Sequence, residues 1–474
     1  MSLRFRDTLT ASTREFVPRD PARVGVYSCG PTIYGPAHIG NFRSFLFADL
    51  LVRWLRQRGH RVTWVMNLTD IDDKIIRAAA TEGISIRALT DRWEAVFRSD
   101  AAALRMSPPD IMPRATEHIE EQVALVQQLL SSGHAYRTDD GSVFFRIASW
   151  PRYGALARVD PAAMRVGERV EADEYSKDDV RDFVLWKAAK PGEPSWETAI
   201  GAGRPGWHLE CSAMSMRYLG EQLDIHTGGI DLIFPHHEDE IAQSEAATGK
   251  TFAATWMHCA HLQVSGSKMS KSLGNIARVS ELLAEGVDPR ALRLALVSAH
   301  YRTGLSYTDD SLPAAAAAIA RLDSFAAAVA ARSSVDAAPG AHADEDAAAE
   351  SLAAASWERF GAAMDDDLAV PEALAALFDL VRDGNRALDA GCGVAGARAL
   401  QETLVRIDAT LALLPPATAL PEGAAAILEA RAAAREARDF ATSDRLRDEL
   451  AALGVVVEDG REGQRWRIEP RSHG

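Results

Sequence analysis

The sequence predicts an α/β fold: a Rossmann-like parallel-sheet domain with an insertion, followed by a helical bundle and a small C-terminal α+β module. Strand-like "RVGVYSC" (23–29), an apolar segment of helical period (38–59) and strand-like "HRVTWVMNLTD" (60–70) follow one another, which predicts a βαβ unit and therefore a parallel sheet. Beyond about residue 310 the chain is rich in alanine with helical periodicity. The 474 residues correspond to about three domains of ~150 residues.

The composition is that of a globular protein without an overall basic character. Hydrophobic residues make up 47% and charged residues 25%, and the formal net charge is −15. A polyanion would therefore have to bind at a local basic patch, because the chain as a whole is acidic. "MSLRFRDTLTASTREF" at the N-terminus lacks the apolar core of a signal peptide, and no apolar run approaches the ~18 residues of a membrane span. We expect a cytoplasmic protein.

The α/β pattern is interrupted once and then resumes. "GHAYRTDDGSVFFRIASW" (133–150) predicts a hairpin, and turn-rich sequence follows it to residue 206, which indicates an insertion. A strand and turn (222–234), a helix beginning at Pro235 and ending near Gly249, and a strand "TWMHCAHLQV" (255–264) continue the α/β domain.

A linker, "LLPPATALPEG" (413–423), separates the predicted helical bundle from the tail, where helices and a small hairpin, "VVVEDGREGQRWRI", are expected. The predicted segments are the first α/β half, the insertion, the second α/β half, a loop region, the bundle and the C-terminal module: 1–117, 118–206, 207–250, 251–312, 313–412 and 424–474.

Two segments are suited to binding phosphate. "AHIGNFRS" places His38 and Gly40 where a helix begins, and free N–H groups together with the helix dipole favour an anion there. "SGSKMSKSLGN" (265–275) is a Gly/Ser loop with Lys268 and Lys271, two flexible point charges. Each segment has a simpler interpretation, a helix cap for the first and a basic turn for the second.

In this order on a parallel sheet, the two segments resemble the HIGH and KMSKS signatures of the class I aminoacyl-tRNA synthetases. The resemblance implies that His38, Lys268 and Lys271 act on the phosphates during adenylate formation, and that Gly40, Asn41 and Lys271 bind ATP with Mg²⁺. Asn41 stands where the signature has a second histidine, so we expect a hydrogen-bonding role of different geometry.

Cys29, Cys211, His236 and Glu240 are candidate metal ligands. His236 and Glu240 are four residues apart, which places them one helical turn from each other. Two thiolates, an imidazole and a carboxylate suit Zn²⁺. On spacing alone, a surface His–carboxylate pair and two buried cysteines remain the alternative.

The stretches "CGPTIYGPAHIGN", "PGWHLECSAM", "GGIDLIFPHHEDEIAQS" and "KMSKSLGN" together resemble the cysteinyl-tRNA synthetase family. The resemblance implies one Zn²⁺ held by the four candidate ligands in the amino acid pocket, with Glu240 as the contact that loosens when substrate binds. It also implies synthesis of cysteinyl-adenylate from L-cysteine and ATP and transfer to tRNA(Cys). Sulfur coordination would reject serine, which a pocket relying on shape discriminates poorly.

Four further residues are candidates for the substrate pocket, each equally open to a structural role. Trp207 could pack on the substrate, His226 and Asp231 could orient its amino group or the adenosine, and Thr69 ends a strand at the same crevice.

The arginines of the tail, with Trp466 between two of them, could contact phosphate and stack on an unpaired base. The alternative is a helix with i,i+4 ion pairs. Similarity to the family's anticodon-binding module favours the first interpretation, and family resemblance suggests a monomer. Two other functions remain open: a cysteine:aminosugar ligase of mycothiol synthesis, and a non-catalytic tRNA-binding paralogue.

Overall fold

The computed structural model describes residues 2–159, 181–264, 267–268, 277–334, 342–415, 423–460 and 463–468; of residues 267–268, 458–460, 463 and 465–468 it describes the backbone alone. The chain divides into two units, Met1–Leu414 and Pro415–Gly474.

The first unit contains strands and helices in alternation, then helices alone. Its strands are β1 (Arg4–Asp7), β2 (Ser12–Glu15), β3 (Val24–Ser28), β4 (Val62–Met66), β5 (Ala135–Arg137), β6 (Val143–Phe145), β7 (Phe183–Ala188), β8 (Gly203–Pro205), β9 (Leu223–Gly229), β10 (Ala253–Cys259), β11 (Leu262–Val264), β12 (Ser267–Lys268) and β13 (Leu305–Tyr307). Its helices are α1 (Ile39–Gln57), α2 (Asp73–Glu82), α3 (Ile86–Ala103), α4 (Ile119–Ser131), α5 (Trp207–Leu219), α6 (Glu238–Thr248), α7 (Val279–Ala284), α8 (Pro289–Val297), α9 (Ser311–Ser333), α10 (Ala343–Asp365), α11 (Val370–Asp389) and α12 (Val394–Leu411).

A parallel sheet of order β10-β9-β3-β4 forms the centre of the first unit, which confirms the predicted βαβ start. All five residues of β3 are buried, as expected of a parallel strand covered on both faces. Val26 packs in the core that contains α1, whereas Tyr27 points to the opposite face, into the core shared with Cys211 and Ile241.

The insertion has its own antiparallel sheet, β5-β6-β7-β8, and the predicted hairpin is its β5–β6 pair. Side chains of this sheet pack against α4 and α5 in a separate core that includes Phe145, Trp186 and Leu209. The insertion therefore adds a second small domain beside the parallel sheet without interrupting it.

The single strand predicted at 255–264 is wrong, because the chain forms two strands there. β10 ends at Cys259, the N–H of Ala260 donates to the carbonyl of Tyr301 at 2.7 Å, and β11 then pairs with β13 in a different sheet. The sequence pattern does not reveal this change of partner, because only Ala260 and His261 separate the two strands and neither residue is a turn signal.

Helix α9 corrects the expectation that no segment could span a membrane. Its length and composition satisfy that criterion, with a mean hydropathy of 1.5 over the best window. Leu322 and Phe325 are buried in the core of the helical region, and Asp323 accepts a hydrogen bond from Arg290 at 2.7 Å. These are the contacts of a helix packed within a bundle.

A fully buried ion pair fastens the helical region to α1. The guanidinium of Arg293 donates to Asp49 at 2.7 Å and to the carbonyls of Leu104 and Leu411 at 3.0 and 2.7 Å. Three acceptors thus receive hydrogen bonds from the guanidinium, which offsets much of the free-energy cost of burying the two charges. The second half of α1, which contains Asp49, is thus anchored to the helical region.

The second unit contains α13 (Ala424–Glu436), α14 (Phe440–Ala452) and the antiparallel hairpin β14 (Val455–Gly460) and β15 (Gly463–Ile468), as predicted. Leu428, Leu450 and Val455 form its core. The side chain of Trp466 lies outside the described part of the chain.

Asp100 in α3 predicts a pH dependence of stability. Its carboxylate is buried, no donor among the described residues reaches its Oδ2, and burial raises its pKa to about 6. The folded state therefore holds a proton that the unfolded state loses near pH ~3.9, so stability declines as the pH rises from about 4 to about 6 and levels off above that, where both states are ionised. We expect Asp100→Asn to raise the free energy of unfolding at pH 8 by roughly 1–2 kcal/mol, allowing for solvent screening, and to change it little at pH 4.5.

Urea denaturation of wild type and variant at both pH values measures this difference. Glu350→Gln, on the exposed face of α10, is the matched control and should show no pH-dependent gain. An equal effect of Asp100→Asn at pH 4.5 and 8 would contradict the assignment.

Candidate functional site

An open cleft of about 380 Å³ lies at the carboxyl ends of the parallel strands. β3 continues through α1 to β4 on one side, and β9 continues through α6 to β10 on the other, so the chain diverges at this point of the sheet. Open parallel sheets bind ligands at such divergences. Cys29, His38, Trp207 and Asp231 all line the cleft.

His38 and Asn41 hold the start of α1 in a reciprocal capping box. His38 is the N-cap: its Nδ1 accepts from the N–H of Asn41 at 3.2 Å, and Asn41 Oδ1 accepts from the N–H of His38 at 3.1 Å. A Cβ on Gly40 would lie 3.0 Å from His38 Nδ1, so glycine keeps this turn open. Asn41 thus has a structural reason to be an amide, since its side chain both caps the helix and fixes His38.

Cys29 follows the last residue of β3 and is held by the neighbouring strand, because its N–H donates to the carbonyl of Thr227 at 3.2 Å. A Cβ on the next residue, Gly30, would lie 1.8 Å from the carbonyl oxygen of Asn67. The backbone therefore turns away directly after the cysteine, and its thiol remains at the base of the cleft.

The structure brings Cys29, Cys211, His236 and Glu240 together, although they lie on three segments that are distant in sequence. All four are buried, and one donor atom from each lies within 4.8 Å of the others. Cys29 Sγ is 3.8 Å from Cys211 Sγ and 3.6 Å from Glu240 Oε1, and His236 Nε2 is 3.0 Å from Glu240 Oε1. His236 lies in an irregular turn before α6 rather than within the predicted helix, yet still reaches the carboxylate. This cluster could hold a metal ion; the role of each residue as a ligand stays a prediction.

The charges of this cluster depend on one another. Burial alone would raise the pKa of Glu240, but attraction to His226 and His236 outweighs it and lowers the pKa to about 2. Burial opposes a charged His236, yet the nearby Glu240 and Cys211 raise its pKa to about 10. Among the thiols, burial raises the pKa of Cys29 well above its usual value, whereas a hydrogen bond from Cys29 lowers the pKa of Cys211 to about 6.

A second set of buried imidazoles, which the sequence analysis did not assign as metal ligands, surrounds the cluster. His237 Nε2 lies 3.2 Å from Cys29 Sγ, its Nδ1 shares a hydrogen bond of 2.7 Å with His258, and His258 bonds Thr8 at 2.8 Å. Cys29, His226, His237 and Glu240 form an alternative group of four possible ligands. A Cβ on Gly228 would lie 2.6 Å from the ring of His237, so the glycine makes room for the ring, a contact that the sequence pattern does not show.

The four predicted pocket residues separate into two pairs. Trp207 lines the cleft and stacks on His236 with ring centroids 4.4 Å apart, and Asp231 is exposed in the cleft. Thr69 is buried and donates to Glu210 at 3.0 Å, and His226 lies behind Glu240, with its Nε2 2.8 Å from Oε2 of that carboxylate. Neither Thr69 nor His226 is among the described residues that line the cleft.

The predicted phosphate-binding lysines cannot be compared with this geometry. Lys271 lies outside the described residues, and Lys268 is described only as a backbone position in β12.

Three family models match the chain. That of the tRNA synthetases class I (C) catalytic domain matches residues 15–317, that of the DALR domain 359–415, and that of the cysteinyl-tRNA ligase anticodon binding domain 417–467. The cysteine–tRNA ligase of Solibacter usitatus is 46% identical over 472 residues, covering 98% of this chain and 100% of that protein. The cysteine–tRNA ligase of Halorhodospira halophila is 46% identical over 475 residues, covering 98% and 99%.

Solved structures show the same fold at low sequence identity. Mycobacterium tuberculosis methionyl-tRNA synthetase in complex with methionyl-adenylate aligns with a TM-score of 0.61 and 19% identity, covering 82% of this chain and 90% of that one. A ternary complex of Agrobacterium radiobacter K84 LeuRS with tRNA and LeuAMS aligns with a TM-score of 0.59 and 12% identity, covering 84% and 85%.

Metal content distinguishes the two possible ligand groups, because Cys211 belongs to only one of them. We expect Cys211→Ser and His236→Ala to lose stoichiometric metal, measured by plasma mass spectrometry, and Cys211→Ser to weaken the sulfur charge-transfer band of the Co²⁺-loaded protein. His226→Gln should keep one ion per chain with affinity reduced about 10–100-fold, because it supports Glu240 from behind. Cys259→Ser, a buried thiol outside both groups, is the control. Full metal content and an unchanged band in Cys211→Ser would favour the group with His237.

Proton release provides an independent measurement of the same cluster. At pH 7 the pKa values leave His236 and Cys29 protonated and Cys211 and Glu240 ionised. Metal ligands must be deprotonated, so binding should release about two protons and affinity should rise roughly 100-fold per pH unit between about pH 6.5 and 8. Calorimetric Zn²⁺ titrations in buffers of different ionisation enthalpy count these protons. Release of none would contradict the pairing of His236 with Glu240.

Proposed function

The chain belongs to the cysteine–tRNA ligase family of class I aminoacyl-tRNA synthetases, and we propose that it activates L-cysteine with ATP and transfers the cysteinyl group to tRNA(Cys). The single observation that carries the proposal is the Cys29 cluster at the base of a cleft whose opposite wall is the start of α1. A group that recognises sulfur is thus adjacent to a helix N-terminus suited to phosphate.

The ion that fits the cluster is Zn²⁺. A tetrahedral ion with Zn–S bonds of ~2.3 Å separates two sulfur ligands by about 3.8 Å, and the Sγ atoms of Cys29 and Cys211 lie 3.8 Å apart. Two thiolates with one imidazole and one carboxylate are also the donor types that zinc accepts. The alternative group contains only one cysteine, so it would offer zinc a single thiolate.

The selection of cysteine over serine follows from the chemistry of these ligand atoms. When bound, zinc favours the thiolate of cysteine, whose pKa of ~8.5 is within reach of neutral pH, over the alcohol of serine, which is a harder and far less acidic ligand. Trp207, stacked over His236, would form the wall against the short side chain. Such a site needs no editing domain to reject serine.

ATP would occupy the other side of the cleft. His38 and Gly40 at the start of α1, oriented by Asn41, would bind the phosphates, with Mg²⁺ and the lysines Lys268 and Lys271 neutralising charge on the pyrophosphate. The carboxylate of cysteine then attacks the α-phosphate and pyrophosphate leaves, and the terminal ribose hydroxyl of tRNA attacks the carbonyl of the resulting adenylate and AMP leaves. Neither step requires a nucleophile from the protein.

The second unit would read the anticodon of tRNA, which is the role named for the family model that it matches. Its α13 and α14 are not basic overall, since their four arginines are accompanied by five carboxylates, and Arg445 and Arg447 pair with Glu449 and Asp444. Contact with tRNA would therefore depend on the placement of individual arginines rather than on the net charge of the helices. An enzyme of this function acts in the cytoplasm, and we expect a monomer.

The decisive experiment incubates the purified chain with ATP, labelled cysteine and either tRNA(Cys) or an aminosugar acceptor, with and without a zinc chelator. We expect cysteine-dependent pyrophosphate exchange, charging of tRNA alone, and loss of both activities when zinc is removed. Serine should support exchange about 10⁴-fold less efficiently, because it leaves the sulfur-binding group unused. Exchange followed by transfer to the aminosugar, or by no transfer, would refute the proposal.

A further inference from the structure

Lys74 is a cation in the cleft that neither the metal cluster nor the proposed ATP site uses. It is exposed, lines the cleft and occupies the second position of α2. Within the described residues, the other side chain of permanent positive charge in the cleft is Arg278, which forms an ion pair with Glu281. Arg278 is also bridged through its backbone to His38, on the ATP side.

The two carboxylates beside Lys74 are engaged elsewhere. Asp72 caps α2, accepting from the N–H of Ile75 at 2.6 Å. Asp73 accepts from Lys187 of β7 at 2.7 Å and pairs with the buried Arg204 of β8. Although partial burial would raise the pKa of Asp73, these two cations lower it to about 2. Burial raises the pKa of Asp72, and attraction to Lys74 opposes that rise, but Lys74 forms no ion pair with a described carboxylate, so its ammonium can still meet a ligand.

The position is unfavourable for a lysine unless an anion binds there. The N-terminus of a helix carries partial positive charge, which repels a cation in the first turn and attracts an anion. The helix dipole therefore does not favour Lys74, although the carboxylate of the N-cap Asp72 offsets part of the repulsion. An anionic ligand would gain from the ammonium and from the helix dipole together.

The location in the sheet distinguishes between the anions of the reaction. His38 follows β3, an interior strand, whereas Lys74 follows β4, the edge strand. A backbone bridge between Thr32 and Thr69 holds the loops after β3 and β4 side by side. The hydrogen bond from Lys187 of β7 to Asp73 connects the start of α2 to the inserted sheet. Lys74 thus lies exposed on the flank of the cleft beyond β4, where residues 111–115 bond along that strand and the insertion begins, rather than on the side formed by the start of α1.

We propose that Lys74 binds the phosphodiester preceding the terminal nucleotide of tRNA, so that the attacking ribose hydroxyl is held over the adenylate. This inference rests on the proposed function, and it adds a residue for the second step of the reaction. The shared chemistry is phosphate recognition by a flexible point charge, and ATP is the other possible source of that phosphate.

The test compares Lys74→Gln and Lys74→Arg with Lys250→Gln as a matched control. Lys250 is an exposed lysine paired with Glu221, in the loop before β10, at the opposite end of the sheet from the cleft. Three quantities are measured: the KM for ATP in pyrophosphate exchange without tRNA, the single-turnover transfer from preformed adenylate, and the salt dependence of the KM for tRNA.

For Lys74→Gln we expect unchanged exchange, transfer efficiency reduced roughly tenfold, and a slope of log KM against log salt that is smaller by about 0.7, the value for one single-stranded phosphate. Lys74→Arg should restore both tRNA properties, and Lys250→Gln should match wild type. A raised KM for ATP in exchange would assign Lys74 to the nucleotide and overturn the inference, as would unchanged transfer and salt slope. Absence of cysteine-dependent exchange in wild type would refute the proposed function instead.

Discussion

The parallel pairing of β3 with β9 is the constraint on which the site depends. The two strands are about 200 residues apart in sequence, yet the hydroxyls of Ser28 and Thr227 lie 2.8 Å apart, and the N–H of Cys29 bonds the carbonyl of Thr227. This pairing places the thiol of Cys29, directly after β3, beside the turn that follows β9. Without it, the two halves of the α/β domain would each carry part of a metal cluster and part of a cleft, and neither part could function.

Within that frame, the buried carboxylate of Glu240 balances the charge of the cluster. Its two oxygens face different partners: Oε1 lies 3.0 Å from His236 Nε2, and Oε2 lies 2.8 Å from His226 Nε2. Removing one partner of a buried pair leaves an uncompensated charge at a cost of about 3–5 kcal/mol. The imidazoles around the cluster thus do more than fill space, since they keep a charged group in a dry site in the orientation that a metal ion requires.

Sequence patterns predicted the parallel sheet and the hairpins of the insertion and of the tail, and the family resemblance indicated that Cys29, Cys211, His236 and Glu240 would meet. These features depend on local periodicity and on motifs such as the one containing Cys29 and His38. Thr69 and His226, predicted for the same pocket, do not line the cleft. The partners of Asp73 could not be predicted, because Lys187 and Arg204 lie more than 100 residues further along the chain. The contact of His237 with Cys29 and the change of sheet after Cys259 likewise depend on tertiary packing. The capping role of Asn41 could have been predicted, since it stands three residues after the N-cap.

The capping box has a consequence for the protonation chemistry of His38. Because Nδ1 accepts the N–H of Asn41, the neutral ring carries its hydrogen on Nε2. A phosphate oxygen approaching that nitrogen would therefore meet a hydrogen-bond donor in the neutral ring as well as in the charged one. The amide at position 41 thereby selects the tautomer of the histidine at position 38, and nucleotide binding there need not wait for the imidazole to gain a proton.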